Sequence, residues 1–135
     1  LPAKDKLHDI AKRSLIKYGW IIEAEQYRLI LGERNLWIDL RIKHPLTQNV
    51  LLIEIKDLTN TESEVDATAK ALGKYLLYQL ALEFMSVNIP IAMMIPIKSH
   101  TKVIQSIMGQ RLLARFGIPI VIFNPEKEEV EQWLL

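Results

Sequence analysis

One hundred and thirty-five residues are enough for one domain built on one core of ordinary size. Half are apolar, and 17 Lys+Arg nearly balance 16 Asp+Glu; a net charge of +1 argues against a protein that holds nucleic acid by bulk electrostatics. Cysteine is absent, which excludes disulfides, Cys-ligated zinc and thiol catalysis and suits a reducing compartment.

In chain order, Asp5 to about Tyr18 reads as a helix with Leu7, Ile10, Ala11, Ser14 and Leu15 on one stripe, ended by Gly19. Trp20 to Glu25 and Tyr27 to Leu31 read as two short strands around a turn or bulge, and Gly32 to Asn35 as a turn. Leu36 to Lys43 and Val50 to Leu58 are the clearest strands, joined by the polar loop His44 to Asn49. Thr61 and Glu64 have capping-box spacing ahead of a long helix, whose stripe is expected at Val65, Ala69, Leu72, Leu76, Leu80 and Phe84. Ile89 to Ile97 and Ile118 to Phe123 lack alternation and read as strands buried on both faces. Between them a helix is expected from about Thr101 to Phe116, and Glu129 to Leu134 closes the chain as a short strand. This order predicts a single α/β domain over 1–135, a mixed sheet covered by helices. The charged start, Lys4-Asp5-Lys6, is unlike a signal peptide. The longest apolar runs fall short of the roughly 20 residues a spanning helix needs. The expectation is a cytoplasmic chain with no membrane partner.

The central strands carry the chemistry. Residues two apart on a strand share a face, so Leu36, Ile38, Leu40 and Ile42 are expected on one side and Trp37, Asp39, Arg41 and Lys43 on the other. Leu51, Ile53 and Ile55 form an apolar face, with Leu52, Glu54 and Lys56 opposite. Pairing Lys43 with Val50 across the loop sets Asp39 opposite Glu54. Two facing carboxylates repel; a divalent cation converts that repulsion into a ligand set, since Mg²⁺ takes one or two carboxylates with water and phosphate oxygens. Lys56, two residues from Glu54, is placed to orient a water or neutralise phosphorane charge. Asp39, Glu54 and Lys56 therefore form a candidate site for phosphodiester hydrolysis with Mg²⁺ or Mn²⁺.

Ile38-Asp39 on one strand and Glu54-Ile55-Lys56 on the next, with helices on either side, resemble the PD-(D/E)XK nuclease superfamily. The resemblance narrows to the XisH family through Pro2-Ala3-Lys4-Asp5, His8-Asp9, Leu15-Ile16-Lys17, Gly19-Trp20 and Leu36-Trp37-Ile38-Asp39-Leu40. Glu54-Ile55-Lys56, Ala71 to Tyr78, Ile107 to Leu113 and Ile122 to Glu126 extend it over nearly the whole chain. XisH proteins are named as controlling factors for excision of the fdxN element in cyanobacteria. The resemblance implies a restriction-endonuclease-like fold, a part in site-specific recombination, DNA as substrate and a partner of the XisI type; a homodimer stays open. It carries the acidic metal ligands to Asp39 and Glu54, the lysine to Lys56 and a further first-helix acid to Asp9, with His8 beside it; Lys74 and Tyr75 are the candidates for substrate contact on the long helix. The chain departs from the family pattern at Arg41-Ile42-Lys43, where Gly-Ala-Glu is usual, at Lys74, where Gln is usual, and at Glu23-Ala24-Glu25, in place of a His-Asp-Pro turn.

Plainer readings stand beside these. Asp9 can pair with Arg13 at i,i+4, and Tyr75 and Tyr78 can be packing residues. No second His or Cys stands at zinc spacing from His8. Two stretches are locally basic: 98–117 carries four cations and no acid, and 1–20 carries five cations against two acids. They are expected either to supply phosphate contacts beside the hairpin or to be solvated faces offset by the acidic tail, Glu126 to Glu131. The alternatives to a nuclease are a non-catalytic accessory subunit that keeps the fold to bind a partner and DNA, and a plain α/β domain with a coincidental acid pair.

Overall fold

The computed structural model describes residues 3–60 and 62–135, with side chains from Asp5 onward. The chain runs α1 (Ala3–Lys17), β1 (Ile21–Leu31), β2 (Arg34–Lys43), β3 (Val50–Ile55), α2 (Glu64–Phe84), β4 (Ile91–Pro96), α3 (Ile97–Ser99) with a π-helical turn (His100–Ile104), α4 (Ile107–Phe116), β5 (Ile120–Asn124) and β6 (Glu129–Leu134). The six strands form one mixed sheet in chain order: β1–β2–β3 antiparallel, β3–β4–β5 parallel, and β6 antiparallel to β5. The expected α/β architecture is therefore present. The parallel steps need helical crossovers, which α2 and the α3–α4 segment provide.

Two cores sandwich the sheet. On one face Ala11 and Leu15 of α1, with Leu7 and Ile10 partly buried, pack on Leu40, Ile42, Leu51, Ile53, Ile55, Met94 and Phe123. The expected α1 stripe is thus the buried one, and Ser14 within it satisfies its hydroxyl on the Ile10 carbonyl at 2.8 Å. On the other face α2 and the π-turn cover Leu29, Ile38, Leu52, Met93, Ile95, Ile120 and Ile122. The strands β3, β4 and β5 are buried on both sides, which explains why their sequences do not alternate.

Several expectations need correction. The two short strands are one, β1, with a register shift between Ile22 and Ala24 and Gln26 in the left-handed region at φ 49°. Thr61 lies outside the described residues; the cap of α2 is Ser63, whose Oγ accepts from the Asp66 N–H at 3.1 Å. The buried face of α2 is Thr68, Ala71, Tyr75, Tyr78 and Leu82, while Val65, Leu80 and Phe84 are exposed. Two apolar stripes interleave on this helix, and the one carrying tyrosines faces the sheet, where the Tyr78 hydroxyl finds the Trp37 carbonyl and Glu54. The single helix expected from Thr101 is broken: Ser106 is extended and caps α4 by accepting from the Gly109 N–H. Gly109 lies against the Val103 and Ile104 carbonyls, where no Cβ fits.

The uniform two-sided hairpin also fails. Leu40 and Ile42 lie in the α1-side core as expected, but Ile38, with Leu36 packed beside it, lies in the α2-side core. The switch falls at Asp39, opposite left-handed Gln26. A single residue at positive φ re-phases the side-chain alternation. The outer half of the β1–β2 hairpin thereby turns Tyr27, Leu29 and Leu31 toward α2.

Candidate functional site at the fork of β2 and β3

The β2–β3 ladder runs from Lys43–Val50 to Leu40–Ile53, the register that puts Asp39 across from Glu54. Beyond it the side chains take over the bonding. The Ile55 N–H donates to Asp39 Oδ2 at 2.8 Å, and the Asp39 N–H donates to Glu54 Oε1 at 3.3 Å. Gln26 Nε2 donates to Asp39 Oδ1 at 3.3 Å. The face switch thus places Asp39 where the strands part, its carboxylate held by the Ile55 N–H and the Gln26 amide.

Glu54 is 3% exposed. Tyr78 of α2 has its hydroxyl 3.1 Å from Glu54 Oε2 and 3.0 Å from the Trp37 carbonyl, and Lys74 Nζ lies 3.7 Å from the same carboxylate oxygen. Burial, and then the charge of Asp39, push the Glu54 carboxyl up to about 7, against the opposing pull of Lys74 and Tyr78. Tyr78 is itself pushed up, by burial first and then by Glu54, so its hydroxyl stays a donor.

Asp39 and Lys56 line two clefts at once, each of about 400 Å³. The α1-side cleft is lined by Lys6, Leu7, His8, Ile10, Asp39, Ile55, Lys56, Asp57 and Asn60. The α2-side cleft is lined by Gln26, Asn35, Leu36, Trp37, Asp39, Glu54, Ile55, Lys56, Lys74, Leu77 and Tyr78. The structure therefore brings Asp39, Glu54, Lys56, His8 and Lys74 together. His8 Nδ1 is 3.9 Å from Asp39 Oδ1, and His8 Nε2 is 3.7 Å from Glu25.

Two candidates are not brought in. Asp9 lines neither cleft; its charge acts on Arg13, which makes its close pair with Glu128 at 2.8 Å. Tyr75 is buried in the α2-side core, its hydroxyl accepting from Gln79. The tyrosine that touches Glu54 is Tyr78, a residue whose spacing fits packing as well. Its signal was helical spacing, since Lys74 and Tyr78 are i,i+4 neighbours whereas Tyr75 points elsewhere.

Two of the three departures from the family pattern, around Glu23 and around Arg41, meet in space. Arg41 donates to Glu23 at 3.1 Å and to the Tyr27 hydroxyl at 3.0 Å, and Glu25 accepts from Lys12 at 3.1 Å. The residues at 23, 25 and 41 thus neutralise charge across β1, β2 and α1. Of the basic stretches, α1 gives Lys12, Arg13 and Lys17 to acids of β1 and the tail. Lys98, Lys102, Arg111 and Arg115 line neither cleft, which favours the solvated-face alternative for that stretch.

A family model described as XisH protein matches residues 1–131. The chain belongs to the XisH family. The XisH fold agrees with solved structures. A crystal structure of an XisH family protein from Nostoc punctiforme is 22% identical, with a TM-score of 0.87 over 96% of this chain and 98% of that one. A crystal structure of an fdxN element excision controlling factor protein from Anabaena variabilis is 20% identical, with a TM-score of 0.89 over 97% of this chain and 99% of that one. No curated protein matches. No helix among the described residues is long and apolar enough to cross a membrane.

Proposed function

We propose that this XisH-family chain is a DNA-processing factor in element excision that hydrolyses phosphodiester bonds at Asp39, Glu54 and Lys56, in the manner of the PD-(D/E)XK nucleases. The observation that carries the reading is Glu54, a carboxyl buried beside a second carboxylate and pushed up to about 7. Two carboxyls crowd together at the α2-side cleft, a repulsion that a divalent cation relieves. The donors are hard carboxylate oxygens from adjacent strands, which suit Mg²⁺ or Mn²⁺. No group of three acid or imidazole donors forms among the described residues, so Asp39 and Glu54 would hold the ion with water and substrate completing its shell. When bound, such an ion supplies a water of lowered pKa and stabilises charge on a phosphoryl oxygen.

The chain's own groups divide the remaining work. Lys56, at the edge common to both clefts, offers its ammonium to the attacked phosphate or the incoming water. Tyr78 and Lys74 fix the Glu54 carboxylate, and Lys74 remains partly exposed to meet a phosphate oxygen. Gln26 donates to Asp39 Oδ1, and His8 Nδ1 stands 3.9 Å from the same oxygen. The test is nicking of plasmid and oligonucleotide DNA with Mg²⁺, Mn²⁺ or EDTA. Cleavage is expected only with metal, and Lys56→Ala and Asp39→Ala are expected to lose at least about 100-fold, the scale of one transition-state contact. A folded protein that cuts no nucleic acid and binds no divalent metal sinks the proposal.

One observation favours the accessory-subunit reading. The outer face of α2 leaves Val65, Leu77, Leu80 and Phe84 exposed, an apolar face suited to a protein partner of the XisI type or a second copy of this chain. Excision in cells that survives Lys56→Ala but not Leu80→Asp, with loss of the co-purifying partner, would decide for it.

A further inference from the structure

We infer that the substrate of this site presents an unpaired nucleotide, and that Trp37 is the platform on which its base stacks. The inference rests on the phosphodiesterase reading above and adds a substrate class to it.

Trp37 is unlike the other two tryptophans. Trp20 and Trp133 pack on one another at 5.5 Å, with Tyr18 and His44 completing the cluster. Trp37 has no ring contact among the described residues and is 52% exposed, yet it lines the α2-side cleft two residues from Asp39. An indole left half in water is uncovered apolar surface. The backbone that carries it is anchored, because the Trp37 carbonyl lies 3.0 Å from the Tyr78 hydroxyl that also reaches Glu54. The strand position that bears the indole is therefore tied to Glu54 through a single hydroxyl group.

The neighbours of Trp37 suit one nucleotide. Leu77, also exposed, adds a second apolar surface, Asn35 offers an amide for a base edge, and Lys74 offers a cation for a phosphate. Arg28 is the cross-strand partner of Trp37 and shares its face. At about 400 Å³ the cleft has the size of a small-molecule pocket. The second cleft opens on the far side of Asp39 and Lys56 and carries Lys6. A single strand laid from one cleft to the other crosses the acid pair between two cations. A net charge of +1 gives little of the diffuse attraction on which duplex tracking depends. Stacking supplies binding that needs no such charge.

The test is equilibrium binding in EDTA, where no cleavage occurs, to four labelled ligands of one sequence: single-stranded DNA, single-stranded RNA, a blunt duplex, and a duplex with one unpaired nucleotide. Single-stranded DNA and the bulged duplex should bind about 10-fold tighter than the blunt duplex, the scale of one base–aromatic stack. Trp37→Ala should erase that difference while leaving blunt-duplex affinity unchanged, and Trp37→Phe should restore most of it. Circular dichroism and melting of Trp37→Ala guard against loss of fold. Equal affinity for paired and unpaired ligands, or a Trp37→Ala effect that is absent or uniform, overturns the inference. RNA bound more tightly than DNA overturns its DNA assignment. Metal-dependent nicking that persists in Trp37→Ala with unchanged preference leaves the nuclease reading standing and removes only this one. Unpaired-nucleotide binding by a protein that never cuts removes the nuclease reading and keeps the stacking site; binding of no ligand removes both.

Discussion

Burial and the neighbouring Asp39 make Glu54 hold its proton to about pH 7 in the folded chain, against 4.5 for the ordinary group. Between those values the folded state binds more protons than the unfolded one, so the metal-free protein loses stability as pH rises through that window. The loss is complete above pH 7 and amounts to roughly 3 kcal/mol at about 1.4 kcal/mol per pH unit. Glu54→Gln cannot titrate. Its stability relative to the parent should therefore improve by about that amount between pH 4 and pH 8, read from urea unfolding in EDTA. Adding Mg²⁺ should stabilise the parent at pH 8 and leave Glu54→Gln nearly unmoved. Tyr78→Phe removes a hydroxyl that pulls the Glu54 carboxyl down. It should raise the Glu54 titration midpoint further, followed by NMR of the side-chain carboxyl, and cost about 1 kcal/mol of stability.

Among the elements, two helical glycines with similar sequence settings should behave oppositely. Nothing lies within 4 Å of a Cβ built at Gly73, in the exposed middle of α2, so Gly73→Ala should stabilise by about 0.5–1 kcal/mol through helix propensity alone. At Gly109 the same methyl meets the Val103 and Ile104 backbone. Gly109→Ala should cost 3 kcal/mol or more, the scale of overpacking against an unyielding wall. Thermal melts of the two variants check both signs. The contrast also shows what was legible in the sequence. Strand pairing, the Lys43–Val50 register and the buried parallel strands follow from local pattern, and that register was enough to bring Asp39 and Glu54 together. The break at Ser106 was not legible, because it depends on a close approach between two turns that periodicity does not record. The choice between two apolar stripes on α2 was not either. It turns on the partners that Trp37 and Glu54 of the packed sheet supply to the Tyr78 hydroxyl, and spacing alone does not separate Tyr78 from Tyr75.

Over the whole molecule, stability is graded across the sheet. The strands β3 to β5 are covered on both faces, while β1 and β6 are edges. Native-state hydrogen exchange should find β4 amides opening only with global unfolding, and β6 with the tip of the β1–β2 hairpin opening sooner. The candidate site lies where these regimes meet, with Glu54 on the most protected part of the sheet and Asp39 on the hairpin that leads away from it. Gln26 is the residue that makes this junction. Deleting it would leave every ladder partner in β2 available, yet a one-residue slip would invert Tyr27, Leu29 and Leu31 from the core to water. The residue count between the Glu23 bulge and the hairpin tip is therefore dictated by the demands of packing against α2. The angle at which Asp39 meets Glu54 is inherited from that count. The solvent-facing positions of the outer hairpin can change with little effect on packing, yet its length is held, and insertions that other surface hairpins absorb would here be read as loss of the site.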